Sequence, residues 1–339
     1  MTHRLPSGKI NENICARSVL RQMEGVMVYR PVMTDTVTLP AFCAGDIAVS
    51  RICNHFAALG KDSGASAPMP PRCISDSILL PEGAAEEELR QITSQIAGRC
   101  RALGIRIAGG HTEVSPAVCM PVVTITGTGM PPVQSMTRPA GSTSQSAQST
   151  ARSILFIGSA GLTGSGILAS AALLSGSFMT RFSAAFLSEH AAHALAPDTL
   201  HPAGAFRILH SMAVTSVSLI RPLGYGGVLA GLWKLGETLR CGLTAELPRI
   251  PLRQETIEIA NLCDIDPYRL DSTGAILAVL PEDAACAAVS ALLDAGYSAR
   301  MIGQLTASHD RILRSGEERQ FLTMPGEDPL MRVLQSLSL

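Results

Sequence analysis

The sequence reads as α/β, or α+β, in two domains. Strand-length and helix-length apolar patterns alternate on both sides of a serine-rich break, 46% of the 339 residues are hydrophobic, and only 16% are charged. That length suits two domains of about 100–200 residues, each burying its own core. Alternating elements favour sheets covered by helices.

In chain order, Val26–Leu39 carries short β-branched runs broken by Pro31 and is expected to be extended. Asp46–Leu59 repeats Ile47, Ile52, Phe56 and Leu59 at three- to five-residue steps, a helical period. Cys73–Leu80 is a short strand. Glu86–Leu103 is an amphipathic helix whose first turn is acidic, where the helix dipole favours negative charge. Ile105–Ala108 and Val122–Thr126 are expected to be buried strands bracketing Gly109-Gly110-His111-Thr112-Glu113. Residues 131–151 contain Pro131-Pro132 and the run GSTSQSAQST, keep no apolar period, and are expected to form a linker. Beyond it, strands are expected at Ser153–Gly158, Ala213–Leu219, Gly274–Leu280 and Ser298–Ile302. Helices are expected at Ser165–Leu174, Met179–Leu195, Gly227–Leu239, Arg253–Cys263 and Glu282–Ala295. The expected organisation is an N-terminal domain over 1–130, the linker 131–151, a second domain over 152–306, and a peripheral tail over 307–339.

Charge and composition exclude several classes. The formal net charge is -1 and the pI about 6.7, with no basic stretch to track phosphates, so no nucleic-acid partner is expected. Nine cysteines stand singly, without a CxxC pair, as small buried hydrophobes of a reducing compartment do. The N-terminal residues lack the apolar core of a signal peptide, and a cytoplasmic location is expected. The uncharged stretch ILFIGSAGLTGSGILASAALL would trip a hydropathy window, but its glycines and hydroxyl residues read as strand, turn and buried helix, not as a membrane span.

Few segments can carry chemistry. Gly109-Gly110 at a strand end lets backbone approach a ligand, with His111 and Glu113 flanking it and Glu113 a candidate base or Mg²⁺ ligand; the same residues also make an ordinary tight turn. Gly161-Leu-Thr-Gly164-Ser-Gly166 links strand to helix, where free amides can bind anions, yet it matches neither a P-loop nor GxGxxG. Asp35, after Thr34, could aim a carboxylate at Mg²⁺. Asn54-His55 lies on a predicted helix, and His190 and His193 sit at i, i+3 on another, a spacing that can chelate metal without a nameable third ligand. Of three lysines, Lys9 beside Gly8 could close over a nucleotide. No Gly-x-Ser-x-Gly, HExxH or EF-hand pattern occurs.

In order, Leu5-Pro-Ser-Gly-Lys-Ile10, Thr34-Asp35, Gly45-Asp-Ile-Ala-Val49, Asn54-His-Phe-Ala-Ala-Leu-Gly60, Gly109-Gly-His-Thr-Glu113, Gly161-Leu-Thr-Gly-Ser-Gly-Ile-Leu-Ala169, Pro222-Leu-Gly-Tyr-Gly-Gly227, Ile265–Ala275 and Gly296–Gly303 resemble the aminoimidazole ribonucleotide (AIR) synthase superfamily. The resemblance is greatest to the AIR synthase-related branch near the hydrogenase maturation factor, which is HypE-like. It implies a PurM-like two-domain fold: an N-terminal α/β domain that pairs with its twin into a shared barrel, plus a C-terminal α/β domain. It further implies a homodimer using ATP and Mg²⁺ to phosphorylate a carbonyl-type oxygen of a small-molecule or protein-bound acceptor.

Carried over, Asp35 would hold Mg²⁺ with Glu113, and Asn54 would meet the nucleotide. Gly109, Gly110, Thr112 and Glu113 would line the phosphates, and Gly161 and Gly164 would face the cleft from the second domain; Asp35, Glu113 and His111 are the candidate catalytic residues. The chain departs from the pattern where an Asn-Asp pair reads Asn54-His55, where Gly-Gly-Asp-Thr reads Gly109-Gly110-His111-Thr112, and where Asp-Pro-Thr-x-Gly-Gly reads Arg221-Pro222-Leu223-Gly224-Tyr225-Gly226-Gly227. Gln335–Leu339 offers no counterpart of the maturation factor's C-terminal cysteine, so that particular activity is not expected. Two readings remain: an ATP-dependent enzyme, or a dimeric nucleotide- or anion-binding relative that has lost metal chemistry. A metal-dependent hydrolase built on His190 and His193 has only their spacing in its favour.

Overall fold

The computed structural model of the chain describes residues 32–62, 68, 70–129, 152–212, 217–326 and 329–337. Lys9 and the expected linker lie outside them. Strands β1 (Val32–Thr38), β2 (Cys73–Leu80), β3 (Arg106–Val114) and β4 (Val122–Thr128) form a four-stranded sheet in the order β1-β4-β2-β3. β2 and β3 are parallel and the other neighbours antiparallel.

Side chains alternate across this sheet, as the pleat dictates. Val37, Ile74, Ile78, Val123 and Ile125 turn inward onto α1 (Ala41–Asp62) and α2 (Glu86–Leu103). On the outer face, hydroxyls pair across strands, Thr34 with Thr126 and Thr36 with Thr124, each at 2.9 Å. Helix α2 starts where Glu88 Oε2 accepts the Ala85 N–H at 2.8 Å, and ends at Gly104 with φ 68°.

The sheet is open, with β1 and β3 as its edges and β3 exposed along its whole length. The shared barrel is thus not formed by this chain alone. A correction concerns Gly109–Glu113. These residues are not a turn after a buried strand: β3 runs straight through them and is exposed. Its pairing with β2 slips between Ile74 and Ser75, leaving Ala108 unmatched. That β-bulge absorbs the extra residue, so the strand continues.

The second sheet has seven strands in the order β11-β10-β7-β9-β5-β8-β6. They are β5 (Arg152–Ile157), β6 (Leu219–Pro222), β7 (Gly242–Glu246), β8 (Ile276–Pro281), β9 (Ala299–Thr306), β10 (Arg311–Ser315) and β11 (Glu318–Phe321). Both faces are covered, which is why β5 and β8 read as unbroken apolar runs. Ile154, Phe156, Leu277 and Val279 pack with Val228, Leu232 and Leu235 of α7 (Gly227–Leu239). Leu155, Ile157, Ala278 and Leu280 pack with α6 (Ala203–Ser211), α9 (Glu282–Asp294) and Ala57 and Ala58 of α1. Helix α1 therefore lies between the two sheets, and its burial nearly all round follows.

Three further helices, α3 (Leu162–Ser175), α4 (Ala184–Ala194) and α8 (Gln254–Leu262), pack together, with the short α5 (Pro197–Leu200) against α1 and α4. Helix α4 starts later than expected because Ser183 caps it, its Oγ accepting the Phe186 N–H. The described part of the expected tail, 307–326 and 329–337, is not peripheral. β10 pairs with β7, β11 pairs with β10, and α10 (Pro329–Ser336) buries Leu330, Val333 and Leu334 against α3. Of the expected strand Ala213–Leu219, residues 213–216 lie outside the described residues, and the strand observed is Leu219–Pro222.

Candidate functional site

The open edge of the N-terminal sheet carries the Gly109–Glu113 motif. Gly110 stands opposite Asp76 of β2, whose carboxyl lies across it; a β-carbon on Gly110 would fall 1.9 Å from Asp76 Oδ1. Only glycine leaves room for that carboxyl. Partial burial holds Asp76 above the ordinary carboxylate range. His111 and Glu113, two residues apart, share one side of the strand, with His111 Nε2 3.2 Å from Glu113 Oε2 and both side chains exposed. Thr112 is exposed as well. Asp76 was missed in the sequence; its signal is a carboxylate in the middle of an otherwise apolar and hydroxyl-bearing strand.

Asp35 lies on β1, at the opposite edge of the same sheet. Three strand spacings separate the edges, about 14 Å. Asp35 also points to the core side. It is 3% exposed, its Oδ2 is 2.8 Å from Arg51 Nε and 3.6 Å from His55 Nε2, and its Oδ1 accepts the Thr36 N–H. Asp35 and Glu113 of one chain therefore do not fit a common Mg²⁺ ion, whose ligands must sit about 2.1 Å from it. Among the described residues no three His, Cys, Asp or Glu side chains are grouped as metal ligands.

Asn54 is fully engaged between the two sheets' domains. Its Nδ2 donates to Leu200 O at 2.8 Å, and its Oδ1 lies 2.6 Å from His201 Nδ1. Because that amide oxygen only accepts, His201 must carry its proton on Nδ1. Burial first, then Arg99, pulls His201 down to about 4, so the ring is neutral. Arg99 crosses the same interface, donating to Ser50 Oγ at 2.8 Å and Pro197 O at 3.1 Å.

The amides at the start of α3 are also in use. Gly161 N–H donates to Ser272 Oγ at 2.8 Å, Gly164 N–H to Asp271 O at 2.9 Å, and residues 162–166 are buried. The segment Leu270–Thr273 thus covers the helix start that the sequence offered to an anion. β3 packs on β2 and α2, whereas α3 packs on α4, α8 and α10.

The pair His190 and His193 diverges. His190 is buried with Nε2 2.8 Å from Ser165 Oγ, and burial lowers it to about 4; His193 Nε2 lies 3.3 Å from Arg253 Nη1. A cavity of about 300 Å³, lined in part by Gly226, Arg269, Leu313 and Phe321, lies in the second domain.

The chain thus combines a two-layer N-terminal unit with an open mixed sheet and, joined through a buried helix, a sheet covered on both faces. Residues 22–130 match the family described as AIR synthase related protein, N-terminal domain. Beyond that segment, the chain is similar to HypE proteins along most of its length. It is 28% identical over 278 residues to carbamoyl dehydratase HypE of Rhodobacter capsulatus, covering 80% of this chain and 74% of that protein. Its fold matches a crystal structure of E. coli HypE with TM-score 0.69 at 21% identity, covering 93% and 91% of the two chains. It also matches a structure of hydrogenase maturation protein HypE in complex with ATP, with TM-score 0.64 at 19% identity, over 96% and 97%. Among the described residues no helix is long and apolar enough to cross a membrane.

Proposed function

We propose that this protein binds ATP at its N-terminal domain and spends the γ-phosphoryl group on a carbonyl-type oxygen of a small-molecule or protein-bound acceptor. The observation that carries the reading is the match over nearly the whole chain to HypE proteins, one of them in complex with ATP. In this reading the exposed β3 strand presents backbone and the small residues Gly109, Gly110 and Thr112 to the phosphates, and Lys9 closes over the nucleotide. His111 stands beside them, its Nε2 3.2 Å from Glu113 Oε2. The acceptor oxygen attacks the γ-phosphorus, the bond to the bridging oxygen breaks, and ADP leaves. A nucleophile then forms its bond to the activated carbon as the carbon–oxygen bond breaks, and phosphate departs with the acceptor's oxygen. The protein's share is positioning and charge stabilisation. A second copy closing on the open sheet would complete the site, and sedimentation should show a dimer.

A second reading, a nucleotide- or anion-binding relative without turnover, is favoured by one fact: Asp35 is committed to Arg51. An acceptor panel labelled with ¹⁸O at the carbonyl separates the two. Turnover places ¹⁸O in the released phosphate and yields ADP; ATP binding without ADP across the panel selects the second reading.

A further inference from the structure

The guanidinium of Arg51 lies between two buried carboxylates that belong to different domains. Its Nε is 2.8 Å from Asp35 Oδ2 on β1, and its Nη1 is 3.7 Å from Asp271 Oδ2. All three side chains are buried, at 3%, 6% and 3% exposed for Asp35, Arg51 and Asp271. Asp271 is fixed in turn, its Oδ1 accepting the Thr273 N–H at 2.8 Å and the Thr273 hydroxyl at 2.7 Å. The plane of the guanidinium is walled by Gly224, where a β-carbon would stand 3.2 Å from Cζ, Nε and Nη2. The glycine carbonyl also accepts the Ser272 N–H, tying the two second-domain loops around the arginine. Among the described residues, His55 Nε2 lies alongside, 3.6 Å from Asp35 Oδ2.

Two carboxylates at this depth need a cation, because an uncompensated buried charge is costly. Arginine is permanently charged and offers a rigid fork that one carboxylate on each side can use. We infer that Arg51 is the resident cation of an interdomain Asp35–Asp271 pair, occupying the place a hydrated divalent ion would otherwise take, so that the wild-type chain binds no divalent cation at Asp35. The inference does not rest on the nucleotide reading, since it concerns the protein without nucleotide. Shortening the arginine leaves two carboxylates and His55 around a vacated space, a donor set of hard oxygens and one imidazole that accepts Mn²⁺ or Mg²⁺ with water completing the coordination.

The test uses Mn²⁺ as the probe on the full chain without nucleotide. Wild-type crystals soaked in Mn²⁺ should show no anomalous peak between Asp35 and Asp271. Arg51→Ala should melt about 4–7 °C lower, recover a good part of that loss in millimolar Mn²⁺ but not in Na⁺ of equal ionic strength, and hold about one Mn²⁺ per chain by electron paramagnetic resonance. Arg51→Lys, which keeps a charge, should stay folded and remain indifferent to Mn²⁺. A Mn²⁺ peak at Asp35 in the wild type overturns the inference, as does a folded Arg51→Ala chain that neither binds nor is rescued by Mn²⁺. If Arg51→Ala does not fold, the wild-type soak and the Arg51→Lys titration decide it alone.

Discussion

Acid should loosen the contact between the two domains through one histidine, His201. Its Nδ1–H is spent on Asn54 Oδ1, its ring is largely shielded from water, and Arg99 and Arg207 add positive charge nearby, opposed by Asp198. These features take it from an ordinary 6.5 to about 4, burial being the largest cause. The sign follows from linkage. The unfolded chain takes up the proton first, below about pH 6.5, while the folded chain resists it to about pH 4. Stability is therefore complete above about pH 6.5 and drains as the pH falls toward 4. At 1.36 kcal/mol per pH unit the loss is on the order of 3 kcal/mol. Unfolding entropy near 2.1 cal/mol/K per residue gives about 0.7 kcal/mol/K for 339 residues, so the melting point moves by about 4 °C. The assay is thermal denaturation of wild type and His201→Asn from pH 7 to pH 4. The asparagine amide can still donate to Asn54 but cannot titrate. Wild type should lose about 4 °C more than the variant over that range. Parallel melting curves at every pH would show that His201 does not carry this acid sensitivity.

Other perturbations test neighbouring parts of the account. Asn54→Ala strips partners from the buried Leu200 carbonyl and the His201 N–H, and should cost about 2–4 kcal/mol, read as a fall of about 3–6 °C in melting temperature. Gly110→Ala drives a methyl group into the Asp76 carboxyl and should cost about 1–3 kcal/mol; adding Asp76→Ala should recover most of it, since the carboxyl is the main obstacle. Equal losses in the single and double variants would show that the carboxyl does not lie where the structure puts it.

Elements bounded by visible caps were legible in the sequence. Gly104 ends Glu86–Leu103, and Gly226-Gly227 opens Gly227–Leu239, so both helices were placed to the residue. Cys73–Leu80 was equally clear from its β-branched and apolar alternation. The short strands β7, β10 and β11 were not, because four or five residues carry too little period to separate from loop. Gly109-Gly110 misled for a physical reason: paired glycines usually mark a turn, but here one meets a bulge and the other makes room for Asp76. Arg51, Asp271 and His201 could not be read as functional or structural partners at all. Their meaning comes from residues some 16 to 220 positions away, and no local pattern encodes such meetings.

The most direct measurement is calorimetric titration of the full chain with ATP, once with Mg²⁺ and once with a chelator. Saturable heat at about one nucleotide per chain is the expected result. No heat under either condition, from protein whose fold is verified by circular dichroism, would contradict the proposal that this chain uses ATP.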